Sequence, residues 1–405
     1  MKVGFSSLAS AFGSPSRTPD GRDGSLPTGN AAEAVEGLGA SGGMTRGAST
    51  APVADAPARV PGQRFYALDG MRGIAAMAVV LYHTGLSFDL PRLLVVHGSI
   101  AVDFFFCLSG FVLSFAHQDQ LFPGGSEKVR FAQSRFVRLW PVIFAGTVLS
   151  LVAAILSGRP LSASLAIDCL LSLVCLPRII DGHPVWLNGV YWSLFAENLV
   201  NALWAALGRS LTTQRLAIGL VILAAALIAA GARAQSLHFG YQDYGAIVPT
   251  TLRAAVSFSA GLLMYRIYRS GRVNVRVHPL VLIAALVFPM LVPGGAPWFR
   301  LSLYVLYIIA LNPAIVLLGA LCGAQRSRAL VWLGEISFPL YAVHGPVVSL
   351  VALYVANHGA PFSLPWRIGF ALVAIAGSIA TAMLAGRLIE KPVRTGLRRL
   401  TASAH

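Results

Sequence analysis

From residue 65 to residue 387 the chain alternates long apolar stretches with short polar breaks. Most of these stretches run close to the roughly 20 residues that cross about 30 Å of hydrocarbon. The pattern predicts helices over 65–85, 99–117, 136–157, 161–177, 190–207, 216–232, 252–268, 279–293, 301–323, 332–356 and 366–387. Such a succession implies an all-α fold, a polytopic membrane helix bundle.

The charges between the stretches refine the count. Basic clusters fall at 128–138, at Arg209 and Arg215, at 266–276, at Arg326 and Arg328, and at 387–399. Lys and Arg in short loops favour the cytoplasmic face, and every cluster satisfies that rule if one stretch does not cross. The stretch that fails to fit is "LSASLAIDCLLSLVCLP", 161–177, which is short, contains Asp168 and closes on a proline. Read as a re-entrant or interfacial segment, it leaves about ten spans, both termini in the cytoplasm, and 158–189 as an outward-facing cap.

Composition agrees, with 56% hydrophobic and only 12% charged residues. The formal charge of +15 is spread over short loops, not gathered on a polar domain, which excludes nucleic acid as a partner and reports orientation in a lipid bilayer. Four cysteines stand apart inside apolar segments, and neither they nor the histidines show metal-site spacing, so no metal is expected. Residues 1–62 are rich in Gly, Ala, Ser and Pro and cannot bury enough apolar surface to offset chain entropy; a disordered cytoplasmic tail is expected there. The membrane domain is expected over 63–395, with a short cytoplasmic tail at 396–405.

The first apolar stretch carries Asp69, Arg72 and His83. Arg72 and His83 lie eleven residues apart, close to three helical turns, which puts both on one face about 16 Å apart along the axis, with Asp69 placed to pair with Arg72. That spacing suits two groups addressing one cavity. It also suits an interfacial anchor and an aromatic-belt residue at opposite helix ends. Elsewhere Ser337, Tyr341 and His344 fall at i, i+4 and i+7, a polar stripe on an apolar helix that lines a cavity or makes interhelical hydrogen bonds.

Six segments together resemble the membrane-bound acyltransferase 3 family. "LDGMRGIAAMAVVLYH" (68–83) is similar to its first-helix signature, an Arg followed by a His. "AVDFFFCLSGFVLS" (101–114), "RFVRLWP" (135–141), "YWSLFAE" (191–197), "GEISFPLYAVHGPV" (334–347) and "EKPVR" (390–394) follow in the family's order. The resemblance covers about 62–395. It implies an integral membrane O-acyltransferase of the bacterial inner membrane. Such an enzyme transfers an acyl group, acetyl foremost, from acyl-CoA to a hydroxyl of a carbohydrate, glycolipid or related envelope acceptor, with no permanently bound cofactor. Some family members carry an extra esterase-like domain after the last span. No such domain is expected after "EKPVR" here, and the membrane domain is expected to complete the transfer or hand it to a separate periplasmic partner. A transporter or flippase of a polysaccharide precursor or lipid-linked substrate is the alternative, because intramembrane Arg, His and Glu also mark transport pathways.

The resemblance makes His83 the catalytic residue, and imidazole is the side chain best matched to neutral-pH proton transfer. It gives Arg72 a supporting role, for which a permanently charged planar donor is suited. Arg135 and Arg138, three residues apart at the entry of the third helix, are donor-binding candidates for a CoA phosphate, or else positive-inside anchors. Trp192, Ser193 and Glu197 are acceptor candidates near the outer leaflet; Glu197 is positioned to accept from His83 or a sugar, or to serve another helix. Asp103 and Ser109 are cavity or packing candidates.

Overall fold

The computed structural model describes residues 63–91, 97–117, 125–181, 183–234, 237, 247–293, 295–359, 362–393 and 395. The tails expected over 1–62 and 396–405 lie outside the described residues. Among these are eleven helices: α1 (Tyr66–Ser87), α2 (Ala101–His117), α3 (Gly125–Leu156), α4 (Ala163–Leu173), α5 (Tyr191–Leu207), α6 (Thr213–Ala234), α7 (Ile247–Arg269), α8 (Pro279–Leu291), α9 (Pro297–Leu321), α10 (Arg328–Asn357) and α11 (Leu364–Ala385). All eleven apolar stretches are helical. Seven of these helices are individually long and apolar enough to cross a membrane, and this is a multi-pass membrane protein.

Contacts between helix ends show how the chain alternates. Gln63 reaches the Tyr268 hydroxyl at the end of α7, Arg266 donates to the Leu211 carbonyl before α6, Lys128 near the start of α3 donates to Ala206 at the end of α5, and Lys391 faces Glu335. These residues mark one basic end of the bundle. At the opposite end Asp89 pairs with Arg367, Phe88 packs on Val348 and Ala371, and the His97 amide donates to Met290 at the end of α8.

The re-entrant reading of 161–177 agrees with this alternation. α3 starts and α5 finishes at the basic end, so the chain between them leaves from and returns to the opposite end. α4 has 11 residues, hence about 16 Å of rise, too little to cross. The sequence pattern missed a small hairpin after it, in which β1 (Arg178–Ile180) pairs antiparallel with β2 (His183–Val185). Its attachment is ionic: the buried Asp168 carboxylate faces Arg159 at 2.6 Å and Arg178 at 3.1 Å. What looked like a stray charge in an apolar stretch therefore holds this segment together. α8 is also short at 13 residues and is preceded by non-helical backbone, so the chain regains the opposite end partly without helix.

Helices without side-chain bulk at their contacts approach most closely, because lipid offers little hydrophobic drive for association and packing must supply it. α1 and α10 run parallel, with Gly70 against Leu330 and Gly73 against Leu333. α2 and α7 also run parallel, backbone on backbone: a Cβ on Gly110 would stand 2.2 Å from the Phe258 carbonyl oxygen, and one on Gly261 2.0 Å from that of Cys107. Backbone cannot step aside as a side chain can. Gly261→Val should therefore destabilise the bundle by about 1–3 kcal/mol or more, read as a lower Tm in detergent, whereas Gly219→Val, with open space around it, should not.

Candidate active site

A polar network of the bundle is organised around α10, whose stripe of Ser337, Tyr341 and His344 is buried. Each member serves a different neighbour. Ser337 Oγ accepts from Arg72 Nε at 2.8 Å, the Tyr341 hydroxyl lies 2.6 Å from Ser193 Oγ on α5, and His344 Nε2 lies 3.0 Å from His83 Nδ1. Arg72 and His83 thus both face α10, as their spacing requires, and neither is turned outward. Arg72 also donates to the Gly334 carbonyl at 2.6 Å, and Asp69 faces it at 3.6 Å while taking a hydrogen bond from Arg64.

Between these two stations α1 and α10 meet on apolar side chains. Ala76 and Val80 pack against Ile336, Leu340 and Val343, and all five are buried. The face that joins Arg72 to His83 is a closed seam, so it offers no passage along α1 and α10.

A polar network lies on another side. Ser193 and Glu197 lie one turn apart on α5, and Glu197 forms an ion pair with Arg135 of α3. Ser109 of α2 donates to Glu197 Oε1 at 2.8 Å and accepts from Arg135 at 3.0 Å. Three helices meet in this cluster. Arg138, three residues on, is exposed. Trp192 is half-buried against the main core.

Two acidic candidates are engaged by arginines of other helices. Of the roles open to Glu197, to accept from His83 or a sugar or to serve another helix, the structure has the last: it sits with Arg135 of α3, because it lies six residues into a helix running toward the basic end and a guanidinium is a stronger partner than a neutral imidazole. The other is Asp103, a cavity or packing candidate, which is wholly buried and fully engaged between α2 and α7. It takes a bidentate pairing from Arg253 of α7, with Nε at 2.8 Å from Oδ1, a further hydrogen bond from Nη2 to Oδ2, and one from Ser257.

Sequence reasoning passed over Arg253 altogether. It is 2% exposed, and besides Asp103 it donates to the carbonyls of Leu237 and Ser99, so one guanidinium ties α2 and α7 to two connecting segments. The available signal was an arginine inside an apolar stretch, the same signal that drew attention to Arg72. Asn188 was also missed. Proline at 346 has no amide for the Ala342 carbonyl four residues back, and the Asn188 side chain supplies the donor at 2.9 Å. This bond anchors the start of α5 to α10 beside the Tyr341–Ser193 contact. His97 is a third omission: its Nδ1 meets the Tyr304 hydroxyl at 2.8 Å in a buried setting.

Comparison with known proteins points the same way as this arrangement. A family model described as Acyltransferase domain matches residues 65–384. The chain is 28% identical over 377 residues to Acyltransferase MdmB of Streptomyces mycarofaciens, covering 83% of this chain and 92% of that protein. It is 31% identical over 191 residues to Protein 2 in picA locus of Rhizobium radiobacter, covering 42% of this chain and 97% of that one. No solved structure matches at a significant level. With the family match running from α1 through α11, across every element that contributes to the α10 polar stripe and the Arg135 cluster, the chain belongs to this family of membrane acyltransferases.

Proposed function

We propose that the protein is an inner-membrane O-acyltransferase that moves an acyl group, acetyl foremost, from acyl-CoA to a hydroxyl of a carbohydrate or glycolipid acceptor of the envelope. The basic end of the bundle faces the cytoplasm, together with both termini, as the positive-inside rule favours. The observation that carries this reading is the inward, hydrogen-bonded setting of His83, connected through His344, Tyr341 and Ser193 toward the Arg135–Glu197 cluster.

In this reading the CoA phosphates dock at the cytoplasmic mouth near Arg138, which is exposed, and Arg135, which Glu197 and Ser109 hold in place. The pantetheine arm follows the Ser193–Tyr341 side, because the seam of Ala76, Val80, Ile336, Leu340 and Val343 closes the α1 side. The acceptor enters from the opposite end, beneath α4 and the hairpin, with Trp192 as a surface for a sugar ring. His83 removes the proton of the acceptor hydroxyl as its oxygen attacks the thioester carbonyl. The new C–O bond forms, the C–S bond breaks, and the proton passes from His83 to the departing CoA thiolate. Arg72 acts at a distance, by holding Ser337 and the register of α10 against α1.

The test is CoA release by purified protein in nanodiscs, with acetyl-CoA and a panel of envelope glycans. Acceptor-dependent release with ester formed on the glycan is expected; glycan movement across the bilayer with no ester formed would overturn the proposal in favour of transport. A second expectation concerns the donor. Arg135→Lys keeps one charge but loses the planar guanidinium, which Glu197 and Ser109 hold through Nη2 alone, and should raise the KM for acyl-CoA about tenfold with kcat little changed. Initial rates against donor concentration check it, and an unchanged KM would remove Arg135 from the donor site.

A further inference from the structure

We infer that His344 is a positioning residue that fixes the tautomer of His83, leaving Nε2 of His83 bare to take the acceptor proton. The inference rests on the reading of His83 as the base.

The argument starts from two carbonyl oxygens, which can only accept. His344 Nδ1 lies 2.8 Å from the Tyr341 carbonyl and 3.1 Å from the Leu340 carbonyl, so that nitrogen carries a hydrogen. A neutral imidazole has one N–H, and His344 Nε2 is therefore a lone pair. That lone pair lies 3.0 Å from His83 Nδ1. A hydrogen bond at this separation needs one hydrogen, and only His83 Nδ1 can supply it. Nε2 of His83, on the side of the ring turned away from His344, is then left without a hydrogen.

Ring geometry supports an in-line bond over a face stack. The ring centroids are 5.1 Å apart and the planes 25° from parallel, which fits two rings meeting edge to edge through their nitrogens. His344 is itself held in place. It is fully buried, its Nδ1 is held by its own helix, and the Tyr341 ring lies edge-on at 5.8 Å. Free histidine in water favours the opposite tautomer, with hydrogen on Nε2, which is the form unable to act as a base from that nitrogen. The relation is that of a base and its orienting group, in which the partner of one ring nitrogen decides what the other can do. Here the orienting group is a second neutral imidazole in place of a carboxylate, so no second charge is buried.

The experiment is nitrogen NMR on the full-length protein labelled with 15N-histidine in nanodiscs, with the His83 signals identified by their loss in His83→Ala. In the wild type, His83 should carry hydrogen on Nδ1 and none on Nε2. His344→Gln, whose amide oxygen reaches the place of Nε2, should keep that tautomer and most of kcat. His344→Phe offers no acceptor; it should shift His83 toward the Nε2–H form and lower kcat about tenfold, with the KM for acyl-CoA unchanged. A wild-type His83 with hydrogen on Nε2 would overturn the inference, and so would an unchanged tautomer in His344→Phe. The wild-type spectrum decides even if a variant fails to fold. Full transfer activity in His83→Ala would instead refute the catalytic reading, and the spectrum would be unaffected by that result.

Discussion

Replacing His83 by alanine should lower kcat for acyl transfer by about 10²- to 10⁴-fold, the range expected when a positioned general base is removed. The KM for acyl-CoA should stay near its wild-type value, because the proposed donor contacts are at Arg135 and Arg138, and Arg135 is held by Glu197 and Ser109. The folded state should survive. His83 is half-buried near the end of α1, its ring meets His344 and the Val79 carbonyl of its own helix, and the α1–α10 seam below it is built from other residues, so the loss amounts to these hydrogen bonds and some packing. Single-turnover rates with labelled acyl-CoA, alongside thermal unfolding of the same preparation, separate chemistry from stability. A variant with normal stability and wild-type kcat would show that His83 has no part in the chemistry and that its contact with His344 only joins α1 to α10.

Asp103→Leu should have the opposite profile, a loss of folded protein with no specific kinetic signature. Arg253 would then be a wholly buried guanidinium with its main counter-charge gone, and breaking a buried pair from one side costs about 3–5 kcal/mol. The remaining bonds to Leu237 and Ser99 satisfy hydrogens but not the charge. Removing both partners, as Asp103→Leu with Arg253→Met, should recover much of that loss, since an apolar pair of similar volume costs no charge burial. Size-exclusion profiles and Tm in one detergent read both variants. If the double variant is as unstable as the single one, the ties from Arg253 to the two connecting segments matter more than its charge pairing.

These two predictions separate residues that looked alike in the sequence. Arg72, Asp103, Glu197 and Arg253 are all charged positions in apolar stretches, and the cost of burying charge marks such positions as paired or functional without saying which. Asp103 and Arg253 satisfy each other at one place in the bundle, and Asp168 is satisfied by Arg159 and Arg178 at another. Glu197 and Arg135 also pair, but at a half-buried meeting point of three helices where a ligand's charge can compete. Partner identity depends on which helices are neighbours, and no local pattern encodes that.

Hydropathy by itself determined the eleven helices, and the basic clusters between them, with the short length of 161–177, marked the fourth as the one that does not cross. All of these follow from the energy of moving peptide and charge between water and hydrocarbon, a sum over local composition. Helical periodicity likewise placed Arg72 with His83, and Ser337 with Tyr341 and His344, on single faces. Only the tertiary structure decided that these two faces meet each other, that His83 is partnered by His344 and not by Glu197, that Asn188 supplies the donor that Pro346 removes, and that the seam between Arg72 and His83 is closed. Those choices come from glycine-lined close approach of particular helices and from the need of each buried polar group for a partner in reach. Both depend on distances between residues far apart in the chain.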